Sequence, residues 1–398
     1  MSCDRFDRRA FVRTAALATM NLGMLGRKLK AQENDPLPPL EVDVHAPAME
    51  ISPLGMPGLF PGRVVEVFDP RSVVDHRVSQ SAVARMVEQG MKELTGESSP
   101  VDAWARFIEP RDVVAVKVNP SGTPLTVSSV QLVREVIDGI LSVGVKPSDI
   151  IVYDRSAAQL QVAGYPALVQ PGVHVTGFDN RWFCAPAAVP EPTTRNGFDP
   201  TVYCEMNCFG ERETRSYLAN LVSRQATKII NIPCLKEHNA SGVTGCLKNL
   251  GYGSFNNVAR THVPPHSYTD PVIPTLCAAA PLRSKAVLHI MDGLRGVWHS
   301  GPFAWNRDFV YEPKTIYFGT DPVAVDRIEL ETIEKKRLEM GAPSLWDRNP
   351  QNLGTTSEMS RTPHKNRYYR EPRHIRTAGE MGLGIWDLER IDRRRLPL

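Results

Sequence analysis

Short, nearly unbroken apolar runs alternate along this chain with longer stretches in which apolar residues recur every three or four positions. Asp112 to Val118 and Ile150 to Tyr153 are runs of the first kind. Val127 to Val143 lies between them and places Val130, Val133, Ile137 and Leu141 on one helical face, with Gly144 as its stop. A strand that is apolar on both sides belongs to a parallel sheet with helices over both faces. The repeat predicts a doubly wound, Rossmann-like α/β fold with a mostly parallel sheet. In such folds ligands bind in a crevice at the carboxyl ends of the strands, here between two lobes.

The first strand is expected at Arg63 to Phe68, then a helix over Ser81 to Leu94 and a strand over Val173 to Phe178. Residues 63–225 form the first lobe, with 179–209 as an inserted loop and a helix over Glu211 to Gln225. Strands at Lys228 to Pro233, Lys285 to Met291 and Thr315 to Phe318 build the second lobe, 226–344, with a helix over Asp321 to Met340 opened by Pro322. Residues 345–398 read as irregular, and Arg393, Arg394 and Arg395 as a solvated tail.

The N-terminus carries a different signal. Asp7-Arg8-Arg9-Ala10-Phe11-Val12-Arg13 has the twin-arginine pattern, and a weakly apolar stretch follows from Thr14 to Leu25. That stretch is too short for a stable membrane span. Residues 1–31 are therefore expected to be a signal peptide read by the twin-arginine translocase, with the folded body exported to a periplasmic or extracellular location. Residues 32–62 hold Pro36, Pro38, Pro39, Pro47, Pro53, Pro57 and Pro61 and read as an extended linker. The net charge of +3 gives no argument for a nucleic-acid partner.

Export allows disulfides among Cys184, Cys204, Cys208, Cys234, Cys246 and Cys277. Cys204 and Cys208 lack the spacing of ferredoxin clusters, and no haem attachment motif is present. An iron–sulfur or thiol redox protein built on these cysteines is one alternative function.

Four predicted strand ends carry polar groups: Lys117 and Asn119, Asp154, Lys236 with His238, and Asp292. The densest stretch runs from Lys236 to His266 and includes Thr244, Gly245, Lys248 and Asn249. Glycines there let the backbone come close to a ligand, with free amides to hold an anion. Lys236 and Lys248 can neutralise a carboxylate or phosphate, and a lysine in a dry pocket can act as a nucleophile or base. His262 and His266 are candidate metal ligands, although Pro264 and Pro265 forbid helical geometry between them. The expected partner is a small anionic molecule, and a non-catalytic anion-binding protein is the second alternative.

Val114-Ala115-Val116-Lys117-Val118-Asn119-Pro120 resembles a strand motif of the domain-of-unknown-function 362 family. So, in order, do Ile229 to His238, Val243 to Gly251, Asp321-Pro322-Val323-Ala324-Val325-Asp326 and Gly382-Leu383-Gly384. The similarity covers roughly residues 63–390. A more distant similarity, to the nickel-pincer lactate racemases, lies in His238, then Gly245 and Lys248, then His262. It implies a cofactor tethered on Lys248, proton transfer by His238 and a metal such as nickel, zinc or iron at His262. Tyr153-Asp154-Arg155-Ser156 has no histidine where those racemases place a second base.

Overall fold

The computed structural model describes residues 40–179, 197–208, 213–262, 267–347, 349–366 and 371–398. In chain order the elements that position the site are β1 (Asp43–His45), β2 (Arg63–Phe68), α1 (Gln80–Thr95), β3 (Val114–Lys117), α2 (Val130–Ser142), β4 (Ile150–Ser156) and β5 (His174–Asp179). They continue with β6 (Phe198–Glu205), β7 (Arg215–Ala219), β8 (Lys228–Asn231), β9 (Cys234–His238), β10 (Gly242–Val243), α3 (Gly245–Ser254) and α4 (Thr269–Ala278). The last are β11 (Ala286–Val297), β12 (Thr315–Gly319), α5 (Pro322–Glu339), α6 (Arg373–Glu380) and β13 (Asp392–Pro397).

One sheet organises the molecule, with the strand order β13-β2-β12-β11-β8-β3-β4-β5. The five neighbours from β11 to β5 pair in parallel, as the apolar runs predict, while β12 is antiparallel to both β11 and β2. Each strand sends alternate residues to opposite faces. Val65, Val114, Val116, Val152, Ile230, Leu288 and Phe318 enter one apolar core, against α1 and α2. Val64, Ala115, Tyr153, Ile229, Ala286, Met291 and Tyr317 enter the other, against α3, α4 and α5. The sheet is thus doubly covered, and β8 joins the two sequence lobes by pairing with β3 on one side and β11 on the other.

Helix boundaries follow local chemistry. Ser79 accepts from the Ala82 amide to start α1, and Gly96 at φ 81° ends it. Asp321 caps α5 with Pro322 in its first turn, where a missing N–H is harmless.

Several expectations need correction. The segment read as a helix over 211–225 contains strand β7 and then a single π turn, Leu221–Gln225. Its apolar spacing imitates a helix, but Ser216 and Leu218 face inward alternately while β7 pairs with β6. Strand β6 lies inside the segment read as an inserted loop, 179–209, of which 180–196 and 209 fall outside the described residues. The proline-rich linker is docked rather than free: β1 pairs with β6, and Met56 is buried with its amide donating to the Arg283 carbonyl. The stretch 345–398 carries α6 and β13, and Arg393–Arg395 form a sheet strand beside β2 rather than a tail. Arg393 pairs with Glu66 and Glu331 there.

Candidate functional site

The carboxyl ends of β3, β4, β8 and β9 meet the first turns of α3 in a continuous buried network. Lys117 ends β3 with its side chain fully buried. Its ammonium donates to the Val118 carbonyl at 2.6 Å, Asp154 Oδ1 at 2.7 Å and Asn249 Oδ1 at 3.0 Å. An ammonium has three donors, so Lys117 is saturated by the protein itself. Helix α3 can pass so close because it presents Gly253, where a Cβ would lie 2.0 Å from Lys117 Cε.

Lys236, on β9, is equally buried but differently placed. Its Nζ donates to Asn119 Oδ1 at 2.7 Å and Ser121 Oγ at 2.8 Å, both neutral. Among the described residues no carboxylate lies within ion-pair distance of it, and its third N–H has no acceptor. Burial lowers the proton affinity of both lysines; at Lys117 the Asp154 carboxylate opposes that shift.

Asparagines bind the two lysines together. Asn119 Nδ2 donates to Asn249 Oδ1 at 3.0 Å, and Asn249 Nδ2 donates to Asn231 Oδ1 at 2.8 Å. Asn231 Nδ2 donates to the Cys246 carbonyl at 3.1 Å and lies 3.2 Å from His289 Nδ1. Burial depresses the His289 pKa to about 3, which keeps that ring neutral.

Strand alternation puts His238 on the same side of β9 as Lys236. His238 Nδ1 accepts from the Ala240 amide at 2.9 Å. In the neutral ring the proton therefore sits on Nε2. Glu237, on the opposite side, accepts from the Gly301 amide at 2.5 Å.

The glycine turn has another use than the sequence suggests. β10 folds back on β9 with His238 opposite Gly242, and the Thr244 amide donates to the Lys236 carbonyl at 3.0 Å. The amides expected to hold a ligand anion hold Asp326: Cys246 N donates to Oδ1 at 2.5 Å and Leu247 N to Oδ2 at 3.0 Å. Gly245 sits at φ 60°, where a Cβ would lie 2.4 Å from that carboxylate. Glu329, one turn further along α5, accepts the Lys236 amide at 2.9 Å. Burial and the neighbouring Asp326 raise the Glu329 pKa well above the carboxylate range.

The remaining candidates separate from this network. Asp292 accepts from the amides of Ser129 at 2.7 Å and, within β11, Leu294 at 3.0 Å, so it pins the start of α2 to β11. Thr244 is buried, and its hydroxyl has no hydrogen-bond partner among the described residues. Lys248 precedes Asn249 in α3 and so projects about 100° away from it; its Nζ lies 4.5 Å from the centre of the Tyr252 ring. His266 and the side chain of His262 lie outside the described residues. Among the described residues no three His, Cys, Asp or Glu side chains gather as a metal site, and Cys204, Cys208, Cys234, Cys246 and Cys277 are free thiols. The disulfide from Cys234 to Cys246 that the sequence allows is not formed.

Ser121, Asn231, His289, Asp326 and Glu329 are site residues that the strand-end reasoning passes over. Asp326 closes the motif Asp321-Pro322-Val323-Ala324-Val325-Asp326, and Glu329 follows it at helical spacing. The others show only in three dimensions.

The profile of a family described as "Domain of unknown function (DUF362)" matches residues 114–331, more than half of the chain. The chain belongs to the DUF362 family. The matched span contains the whole network of Lys117, Asn119, Asp154, Lys236 and Asn249, so this DUF362 member carries its candidate site inside the family domain. Curated proteins give no match to the sequence. Among solved structures, the lactate racemase apoprotein from Thermoanaerobacterium thermosaccharolyticum is similar at 9% identity and a TM-score of 0.36, over 75% of this chain and 62% of that one. This chain thus spans less than two thirds of that racemase's length.

Proposed function

We propose that this DUF362 protein is an exported enzyme that captures a small organic anion at the strand tips. One observation supports this above the others. Lys236 is a fully buried lysine with two neutral partners, no ion pair among the described residues and one donor left over. Burying an unpaired ammonium is costly, and an anionic ligand removes that cost. Asn119 and Ser121 fix the Lys236 ammonium, Lys117 and Asp154 fix Asn249 and through it Asn119, and His238, on the same side of β9 as Lys236, is the group we assign to proton transfer. The chemistry that fits is acid–base catalysis beside a carboxylate or phosphate. Export rests on the twin-arginine pattern of Asp7–Arg13; among the described residues no helix is long and apolar enough to cross a membrane.

Thermal-shift screening of small carboxylates and inorganic phosphate against wild type and Lys236→Met tests the capture step. Stabilisation by a shared set of anions in wild type only is the expected result. Equal stabilisation of both proteins would remove Lys236 from the site. His238→Gln then separates enzyme from binder: turnover falls while the anion still binds, whereas a pure binding protein has no turnover to lose.

A finer proposal concerns a cofactor. Lys248 suits a tethered group in being almost buried beside an aromatic ring, whereas a metal donor set does not assemble among the described residues. No step above depends on either. Whole-protein mass and metal content of the natively exported chain decide it, and a bare mass with no nickel, zinc or iron is the result against it.

A further inference from the structure

Helix α5 packs across α3, β9 and β10 and sends two carboxyls into the glycine turn. They are Asp326 and, one turn on, Glu329, neither with any exposed surface. Glu329 Oε1 accepts the Lys236 amide at 2.9 Å, while the Thr244 amide donates to the Lys236 carbonyl at 3.0 Å. The backbone of Lys236 is thus held on both of its polar groups. The other oxygen of Glu329, Oε2, has no hydrogen-bond partner among the described residues, and neither has the nearby Thr244 hydroxyl. Asp326 differs, because each of its oxygens accepts an amide, from Cys246 and from Leu247, in the first turn of α3. Among the described residues no cationic side chain lies within ion-pair distance of either carboxyl.

Two buried charges of one sign, a turn apart and with no counter-ion, are too costly to coexist. Asp326 has the surroundings of a carboxylate: a donor on each oxygen, and the positive end of a helix dipole. Glu329 does not, since a negative charge on it would leave Oε2 bare. We propose that Glu329 stays a carboxylic acid in the folded protein, with its proton on Oε2, and that as a neutral group it is the positioning residue for Lys236. Oε1 then holds the Lys236 amide without placing a counter-charge beneath the Lys236 ammonium. An ionised Glu329 would supply that counter-charge from inside and weaken the hold of Lys236 on an external anion. Burial raises the pKa of both carboxyls, and Asp326 raises that of Glu329 further. The other ionisable groups on this side are Lys236, Cys246, Asp321 and Tyr311; the Lys236 charge opposes the shift at Glu329, but burial outweighs it. The positioning role rests on the anion-capture reading, whereas the protonation of Glu329 does not.

Infrared difference spectroscopy of the full chain at neutral pH, wild type against Glu329→Gln, reads the proton directly. A protonated-carboxyl C=O band present in wild type and missing from the variant is the expected result. An ionised-carboxylate band in its place overturns the proposal. Titration calorimetry with inorganic phosphate and with acetate reads the positioning. Glu329→Leu leaves the Lys236 amide bare and should weaken the anion that binds by about tenfold, and Glu329→Gln, whose amide oxygen accepts in place of Oε1, should restore it to within about twofold. Unchanged affinity in folded Glu329→Leu overturns the positioning role, as does failure of Gln to rescue. Tighter binding in Glu329→Gln than in wild type would mean that a charge had been removed, and overturns the proposal too. Should Glu329→Leu fail to fold, the Gln comparison and the infrared band still decide. Wild type that binds neither anion overturns the Lys236 reading and the positioning role together, while the band alone judges the proton, so the two failures are told apart.

Discussion

Gly251 and Gly253 lie in the same helix, α3, two residues apart, and set two effects against each other. Replacing a helical glycine with alanine stabilises by about 1 kcal/mol through backbone entropy alone. At Gly251 the new methyl would meet Leu276 Cβ at 3.3 Å and Cys277 Sγ at 3.4 Å, a tight contact that small shifts relieve. The two terms nearly cancel, and Gly251→Ala is expected within about 0.5 kcal/mol of wild type. At Gly253 the methyl would lie 2.0 Å from Lys117 Cε and 2.5 Å from Nζ. The lysine cannot step aside without leaving Val118, Asp154 and Asn249, because it has no exposed surface to move into. Overpacking costs about 1–3 kcal/mol, and breaking a buried ion pair about 3–5 kcal/mol. Even partial disruption outweighs the entropic gain, so Gly253→Ala is expected to lose at least about 2 kcal/mol. For a body of this size that lowers Tm by several degrees, about 2–4 °C per kcal/mol. Differential scanning calorimetry of the two variants side by side is the assay. Equal melting temperatures for both would show that α3 does not press on Lys117, and the network would lose its keystone.

Three further outcomes follow from the same structure. Titration of thiols under denaturing, non-reducing conditions should find Cys204, Cys208, Cys234, Cys246 and Cys277 all reactive; loss of Cys234 and Cys246 together would restore the disulfide. His289 and His374 are held neutral with pKa values of about 3, against 6.5 when exposed. The unfolded chain therefore binds more protons, and stability that is whole above about pH 6.5 falls as pH drops towards 3; His374→Gln should flatten that limb by up to one proton, about 1.4 kcal/mol per pH unit, while an unchanged slope would mean the ring is not buried neutral. Removing residues 392–398 strips β13 from β2 and exposes a sheet edge, so the truncated chain should melt lower and self-associate in sedimentation; an unaltered melt would return the arginine run to a solvated tail.

What could be read in the sequence is what neighbours along the chain determine. Strand β3 and helix α2 announce themselves because an all-apolar run and a helical stripe are local patterns, and Lys117, Asn119 and Lys236 follow from knowing where strands end. The misread parts depend on distant partners. Leu218, Leu221 and Val222 have helical spacing, and only the pairing of β7 with β6 makes Arg215–Ala219 a strand, with Leu221 and Val222 in the π turn that follows. Arg393 looks like tail charge until Glu66 stands opposite it. The glycine turn invited an external anion because its amides are free in the sequence; Asp326, far along the chain, supplies the anion instead. His374 carries no local signal, since a buried ring with bare nitrogens exists only once α6 has packed.

The occupancy of the third donor of Lys236 decides the main claim most directly. A crystal structure determined with a small anion selected by thermal shift should show it within about 3 Å of Lys236 Nζ, beside Asn119 and Ser121. Lys236 Nζ donating its third hydrogen bond to the chain's own carbonyl, with the anion bound elsewhere, would contradict it.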